Sequence, residues 1–248
     1  MMNAIRAEWI KLRTIRSTWV LLIVSVIITL LISTLISMYG INQQDRTGNV
    51  SMISKVLIGV SLSTSLLGVV ATLLASSDFR FTIRQTYAAE PRRLRVFAAK
   101  VITSACATGA VGAFMIGLAL GSSGLILKAR GMQLSFDKQG WSVAIGAWLY
   151  LVLFCLAALA IAHIIKHSAG AIVTLLVWTL IVENILIVMS MSWFKWMTRY
   201  FPFSAGQRLV TYQDDTQLFG RWTGGLYFAG VIGLLFLLGA FLIQRRDA

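Results

Sequence analysis

Charge is scarce in this chain, and negative charge most of all. Nine Asp and Glu stand against 22 Lys and Arg in 248 residues, and charged residues are 12% of the total. Soluble domains carry roughly 25%. Two His and two Cys complete a thin set of reactive side chains. No two carboxylates stand near one another in the apolar runs, and neither H-E-x-x-H nor G-x-S-x-G occurs, which argues against a membrane enzyme. The phosphate-cradling pattern G-x-x-x-x-G-K-S/T is also missing, so the chain does not bind ATP by that route. Cys106 and Cys155 both fall inside apolar runs. They read as small core residues rather than as a disulfide.

What is present is apolar length. Hydrophobic residues make up 58%, and the mean hydropathy is +0.80. Six runs stand out: Trp19–Tyr39, Val56–Ser76, Val101–Leu120, Trp141–Ile165, Ala169–Trp193 and Trp222–Ile243. Each matches the ~20 residues a helix needs to cross a bilayer core. None shows the ten-residue alternation of a membrane barrel. The expectation is an all-α membrane protein, one transmembrane domain over residues 1–248 with six transmembrane helices and no room for a second folded unit. The first run is too long for the apolar region of a signal peptide, and no A-x-A-like cleavage site follows Tyr39. Basic residues cluster in 6–16, in the 77–100 loop, and at Lys166, Arg245 and Arg246. That bias predicts both termini in the cytoplasm. The net charge of +13 then favours anionic lipid headgroups. It does not suggest nucleic acid, because no soluble basic domain is present.

Several segments carry finer signals. Residues 3–17 place Ile5, Trp9 and Leu12 on one stripe with Arg6, Lys11 and Arg13 on its flanks, which suits a helix lying in the headgroup plane. In the 77–100 loop, Thr82 and Gln85 form the T-x-x-Q of a capping box. A short helix should begin there and stop before Pro91, which suits the first turn of the next helix. Ile83, Arg84, Thr86 and Tyr87 would be exposed on it as a docking surface. The third run carries Ala105, Gly109, Ala113, Gly117 and Gly121 four apart, and the sixth repeats this with Gly225, Ala229 and Gly233. Such stripes let helix backbones approach closely.

Hydroxyls recur as Ser25, Thr29, Ser33 and Ser37 in the first run and as Ser61, Ser65, Thr72 and Ser76 in the second. They either line a path for a partly polar substrate or bond to backbone carbonyls between helices. Glu183, followed by Asn184, lies near the middle of the fifth run. A carboxylate there costs ~2.5–3.5 kcal/mol on insertion scales. It should face a cavity or partner, or be protonated and hydrogen-bonded between helices. His163 and His167 stand four apart, but no Cys, Asp or Glu stands beside them to complete a metal site. The 194–221 segment joins Pro202 to Trp193, Trp196, Tyr200 and Phe201, predicting short outer, re-entrant helices between the fifth and sixth spans.

Taken in order, these segments resemble a known family. Glu8-Trp9-Ile10-Lys11-Leu12-Arg13-Thr14 with Arg16-Ser17-Thr18-Trp19 is similar to the opening of ABC type-2 permeases, the membrane subunits of bacterial ABC exporters. Thr82-Ile83-Arg84, Pro91-Arg92-Arg93 and Lys100 resemble the family's first cytoplasmic loop, and Phe201-Pro202-Phe203-Ser204-Ala205 its outer segment. Phe81 departs from the pattern, standing where a Gly usually precedes Thr-Ile-Arg. The resemblance implies a multi-pass permease of the bacterial plasma membrane that pairs with a second copy, identical or homologous, and with two separate ATPase subunits. ATP and Mg would sit on those ATPases, and this chain would hold no cofactor. The loop between spans two and three would be the coupling helix seated on the ATPase, through Thr82, Ile83, Arg84, Gln85, Thr86, Tyr87, Arg92 and Arg93. The interfacial helix with Glu8, Trp9, Lys11, Leu12 and Arg13 would join the same interface. Cargo would be an amphipathic drug, peptide or lipid moved outward, with Ser25, Thr29, Ser33, Ser61, Ser65 and Glu183 as candidates to line its path. Two other readings remain: a non-transporting membrane scaffold or sensor linked to the ATPases, and an ion-coupled carrier using Glu183.

Overall fold

The computed structural model describes residues 6–7, 9–10, 12, 14, 16–41, 49–81, 93–132, 134, 136–189, 200–211 and 220–245. The described residues form helices and connecting turns with no strand among them. Six helices are long and apolar enough to cross a membrane: Arg16–Gly40, Met52–Ser76, Val96–Ala129, Lys138–Ile165, Ser168–Leu186 and Arg221–Leu242. These are the six expected runs, with shifted ends. The third helix extends to Arg93–Ala129, because Gly121, Gly124 and the hydroxyls beside them do not stop a helix whose backbone bonds internally.

The fourth span is the hub, and spans two, three, five and six all pack on it. Over its central window, 61% of residues are buried, as in span two, against 17% in span five. Small residues explain the closeness. Ala157, Ala158, Ala160 and Ala162 are all buried on span four, and a Cβ on Gly68 of span two would fall 2.6 Å from the Phe154 ring. Lipid tails remove most of the hydrophobic drive between helices, so close backbone packing and interhelical hydrogen bonds do the work. Spans one and two show both: Gly59 sits against Ser33, and the hydroxyls of Thr29 and Ser63 are hydrogen-bonded at 2.8 Å.

The small-residue stripe of span three is used only in part within this chain. Ala113, Gly117 and Gly121 are exposed, and a Cβ on Gly117 or Gly121 would meet nothing within 4 Å. Gly109 is closer, with Trp148 Nε1 donating to its carbonyl at 2.8 Å. On span six, Gly225 lies under Leu209 while Gly233 has open space. A period of four aligns residues on one face, but it does not decide which helix lies opposite. Cys155 is buried on span four, Cys106 is exposed on span three, and both are free.

The helix ends follow local chemistry. Asp137 caps span four by accepting from Gly140 N at 2.7 Å, and Lys166 ends it in the left-handed region at φ 56°. His167 then caps span five, accepting from Gly170 N at 3.2 Å. His163 is committed elsewhere, with Nδ1 2.8 Å from Leu159 O and its ring edge-on to Phe97 at 4.9 Å. The two histidines therefore serve separate helices, and no group of three potential metal ligands occurs among the described residues.

Six crossings put the described chain ends on one side of the bundle. On that side Lys100 Nζ reaches Ala75 O at 3.4 Å and Gly239 lies beside Phe97 and His163. On the opposite side Arg130 donates to Ser37 O at 2.6 Å, and a short Pro202–Gln207 helix packs against spans four and six.

Candidate functional site

The Pro202–Gln207 helix begins without a cap of its own. Pro202 occupies its first turn, and Phe201 at the N-cap position has no side-chain acceptor. The exposed N–H groups of a helix start need a partner, most urgently where water is excluded. Glu183 of span five supplies it. Its Oε1 accepts from Phe203 N at 3.2 Å and from Trp178 Nε1 at 3.2 Å. Its Oε2 accepts from Ser204 N at 2.8 Å and from Ser204 Oγ at 2.6 Å. Four donors and a helix N-terminus form the environment a carboxylate favours.

A local change of helix type makes this geometry possible. Val177–Val182 is a π-helical turn, and Glu183 N bonds Trp178 O, five residues back. In a regular α-helix, residues five apart lie about 140° around the axis from one another. The wider turn brings Trp178 and Glu183 onto one face. Asn184 Nδ2 donates to Thr179 O at 3.2 Å and to Leu180 O at 3.0 Å, serving the loosened carbonyls. Such insertions are frequent at functional sites.

The rest of the segment is held by Arg221. Its Nε and Nη2 both donate to Leu209 O, at 3.0 and 2.7 Å. Nη1 donates to Ser142 Oγ at 2.9 Å, which ties the start of span six to span four. Phe203 anchors the helix in an aromatic cluster, its centroid 5.4 Å from Phe154 and 5.2 Å from Phe228.

Between this segment and spans two, four and five lies a cavity of about 410 Å³. Ser61 and Ser65 of span two line it, with Tyr150 and Phe154 of span four, Thr179, Glu183 and Asn184 of span five, and Ser204 and Gln207 of the short helix. Span five packs on span two through Ser168–Leu176. Farther along, the two spans wall the cavity through Ile58, Leu62 and Leu180, side chains that are about half exposed. The opening is thus lateral and apolar, and the depth is polar. Glu183 is the only formally charged side chain among the described lining residues.

The candidate residues divide accordingly. Ser61, Ser65 and Glu183 meet at the cavity. Ser25, Thr29 and Ser33 are buried between helices: Ser25 Oγ donates to Leu21 O at 2.7 Å, Thr29 Oγ1 to Ser25 O at 2.9 Å, and Ser33 Oγ to Val56 O at 2.9 Å. The first-span stripe is therefore spent on packing. Thr82, Ile83, Arg84, Gln85, Thr86, Tyr87 and Arg92 lie outside the described residues, as do Glu8, Lys11 and Arg13; Arg93 is described as the first residue of its helix. Trp9 and Leu12 are helical, and Trp9 is exposed. Tyr150, Thr179 and Gln207 carry no sequence signal for the cavity. The Glu183 partnership had one: a helix opening Phe-Pro with no acceptor at its cap must borrow one from another segment.

No protein-family model matches the sequence, and no curated protein matches it at a significant level.

Proposed function

We propose that this chain is the transmembrane subunit of an ATP-driven exporter of the ABC type-2 permease kind. In this reading it moves an amphipathic substrate outward, and separate ATPase subunits supply the energy. The observation that carries the proposal is the cavity on the side of the bundle away from the chain ends, polar in its depth and open sideways between spans two and five. A drug, peptide or lipid fits such a site, with its apolar part toward the bilayer and its polar part inside. The missing nucleotide motif and the basic loop between spans two and three support a drive borrowed from a partner. With both termini cytoplasmic, the cavity opens in the outer half of the membrane. The saturated hydrogen bonding of Glu183 weighs against an ion-coupled carrier, whose carboxylate must exchange partners during its cycle.

The test is co-purification with a P-loop ATPase, followed by ATP hydrolysis in nanodiscs. Replacing Ile83 and Tyr87 together by Asp is expected to bring hydrolysis by the complex to the level of the isolated ATPase while the permease remains inserted. Unchanged hydrolysis in that double variant refutes the coupling role.

A further inference from the structure

We infer that the cavity binds the uncharged, hydroxyl- or amide-bearing head of an amphiphile that enters sideways between spans two and five. This narrows the cargo and so rests on the exporter reading. The first observation is a set of unused hydroxyls. Tyr150 is only 7% exposed, and its ring is held near Phe154 and Phe228 at 5.9 and 6.2 Å. It lines the cavity, yet its hydroxyl makes no hydrogen bond among the described residues. Ser65 of span two, half-buried, also lines the cavity and is likewise without a partner among them. A third cavity-lining hydroxyl, Ser54 Oγ, is itself buried and has no partner among the described residues. Buried polar groups are nearly always satisfied, so these idle hydroxyls mark a place for a ligand or water.

The second observation is charge. The described lining contains no Lys, Arg or His, and its one charge is the Glu183 carboxylate. A phosphate head would enter a low-dielectric pocket with no cation among the described lining residues to meet it. An ammonium would find that carboxylate already holding four donors. A neutral head can pair with Tyr150, Ser65, the free Oδ1 side of Asn184 and the exposed amide of Gln207.

The third observation is size. A volume of about 410 Å³ lies at the lower end of small-ligand pockets, roughly 300–1,000 Å³. It accommodates a glycerol- or sugar-sized head and leaves no space for acyl chains. Those would lie against Ile58, Leu62 and Leu180 at the opening.

The experiment uses the full-length protein in phosphatidylcholine nanodiscs. The probes are three amphiphiles with one fluorescent acyl tail and a glycerol, a phosphate or a trimethylammonium head. Binding is measured against empty discs. The glycerol head is expected to bind at least about tenfold more tightly than either charged head. Tyr150→Phe and Ser65→Ala should each weaken it about fivefold, the effect of one lost hydrogen bond. Because the Tyr150 hydroxyl makes no hydrogen bond among the described residues, Tyr150→Phe should keep the wild-type unfolding temperature. Equal or tighter binding of a charged head, or unchanged glycerol binding when Tyr150→Phe and Ser65→Ala are combined, overturns the proposal. Binding needs no ATPase, so failure here with Ile83 and Tyr87 still required for hydrolysis removes the substrate class and leaves the exporter reading standing. The converse pattern removes the exporter reading alone.

Discussion

Replacing Glu183 by Ala is expected to destabilise the protein by about 4 kcal/mol, since each buried donor left unpaired costs ~1–3 kcal/mol and some find new partners. For a chain of this length that is a fall of about 10 °C in unfolding temperature. Four donors lose their acceptor at once: the N–H groups of Phe203 and Ser204, the Ser204 hydroxyl and the Trp178 indole. The start of the Pro202–Gln207 helix then has no cap, and its neighbour Arg208 should be cut by trypsin faster than in the wild type. Glu183→Gln keeps the shape and one oxygen but turns an NH2 toward donors, so it should fall between Ala and wild type. A proton-carrying carboxylate would behave with the opposite sign. Gln would then leave stability equal or higher, because it removes a buried charge, and would halt transport alone. Thermal unfolding of the two variants therefore separates a latch from a carrier.

Gly146→Ala should be nearly as damaging. A Cβ there would stand 2.1 Å from Leu209 O and 2.6 Å from Arg221 Nη2. Neither neighbour is a flexible tip that can swing away, because Arg221 holds that carbonyl through Nε and Nη2 while Nη1 and Nη2 also grip Ser142. Overpacking of this kind typically costs ~1–3 kcal/mol. Here the backbone must separate, and a loss of about 3 kcal/mol with a loosened segment after Pro202 is expected. Gly117→Ala is the matched control. Nothing lies within 4 Å of its Cβ position, and Ala is favoured over Gly in a helix by ~1 kcal/mol. It should leave stability unchanged or raised. Similar losses in both variants would mean that the contact with Leu209 does not decide the effect, since helix propensity alone favours Ala at both positions.

These two positions show how far the sequence could be read. Glu183 stood out as a lone carboxylate that had to face a cavity or find a hydrogen-bonding partner, but nothing in the chain named that partner, and Gly146 lay outside the conspicuous stripes. The stripe that stood out, Ala113-Gly117-Gly121, faces open space within this chain. The hydroxyl stripes looked alike in sequence, yet Ser25, Thr29 and Ser33 turn into a helix interface while Ser61 and Ser65 turn to a cavity. Periodicity aligns side chains on a face, but the element opposite that face is set by nonlocal packing.

By itself, the sequence determined that this is a helical membrane protein with six spans. Each span's length and apolarity are local properties that the bilayer reads directly, so they survive without knowledge of neighbours. It also separated the run ending at Ile165 from the one starting at Ala169, and placed short helices around Pro202. Only the tertiary structure decided that span four is the hub, that a π turn swings Trp178 and Glu183 onto one face, and that this carboxylate caps a helix about twenty residues ahead in the chain. Those outcomes depend on which donor finds which acceptor once water is gone. That pairing joins span five to the short helix across about twenty residues, and no window along a single span contains it.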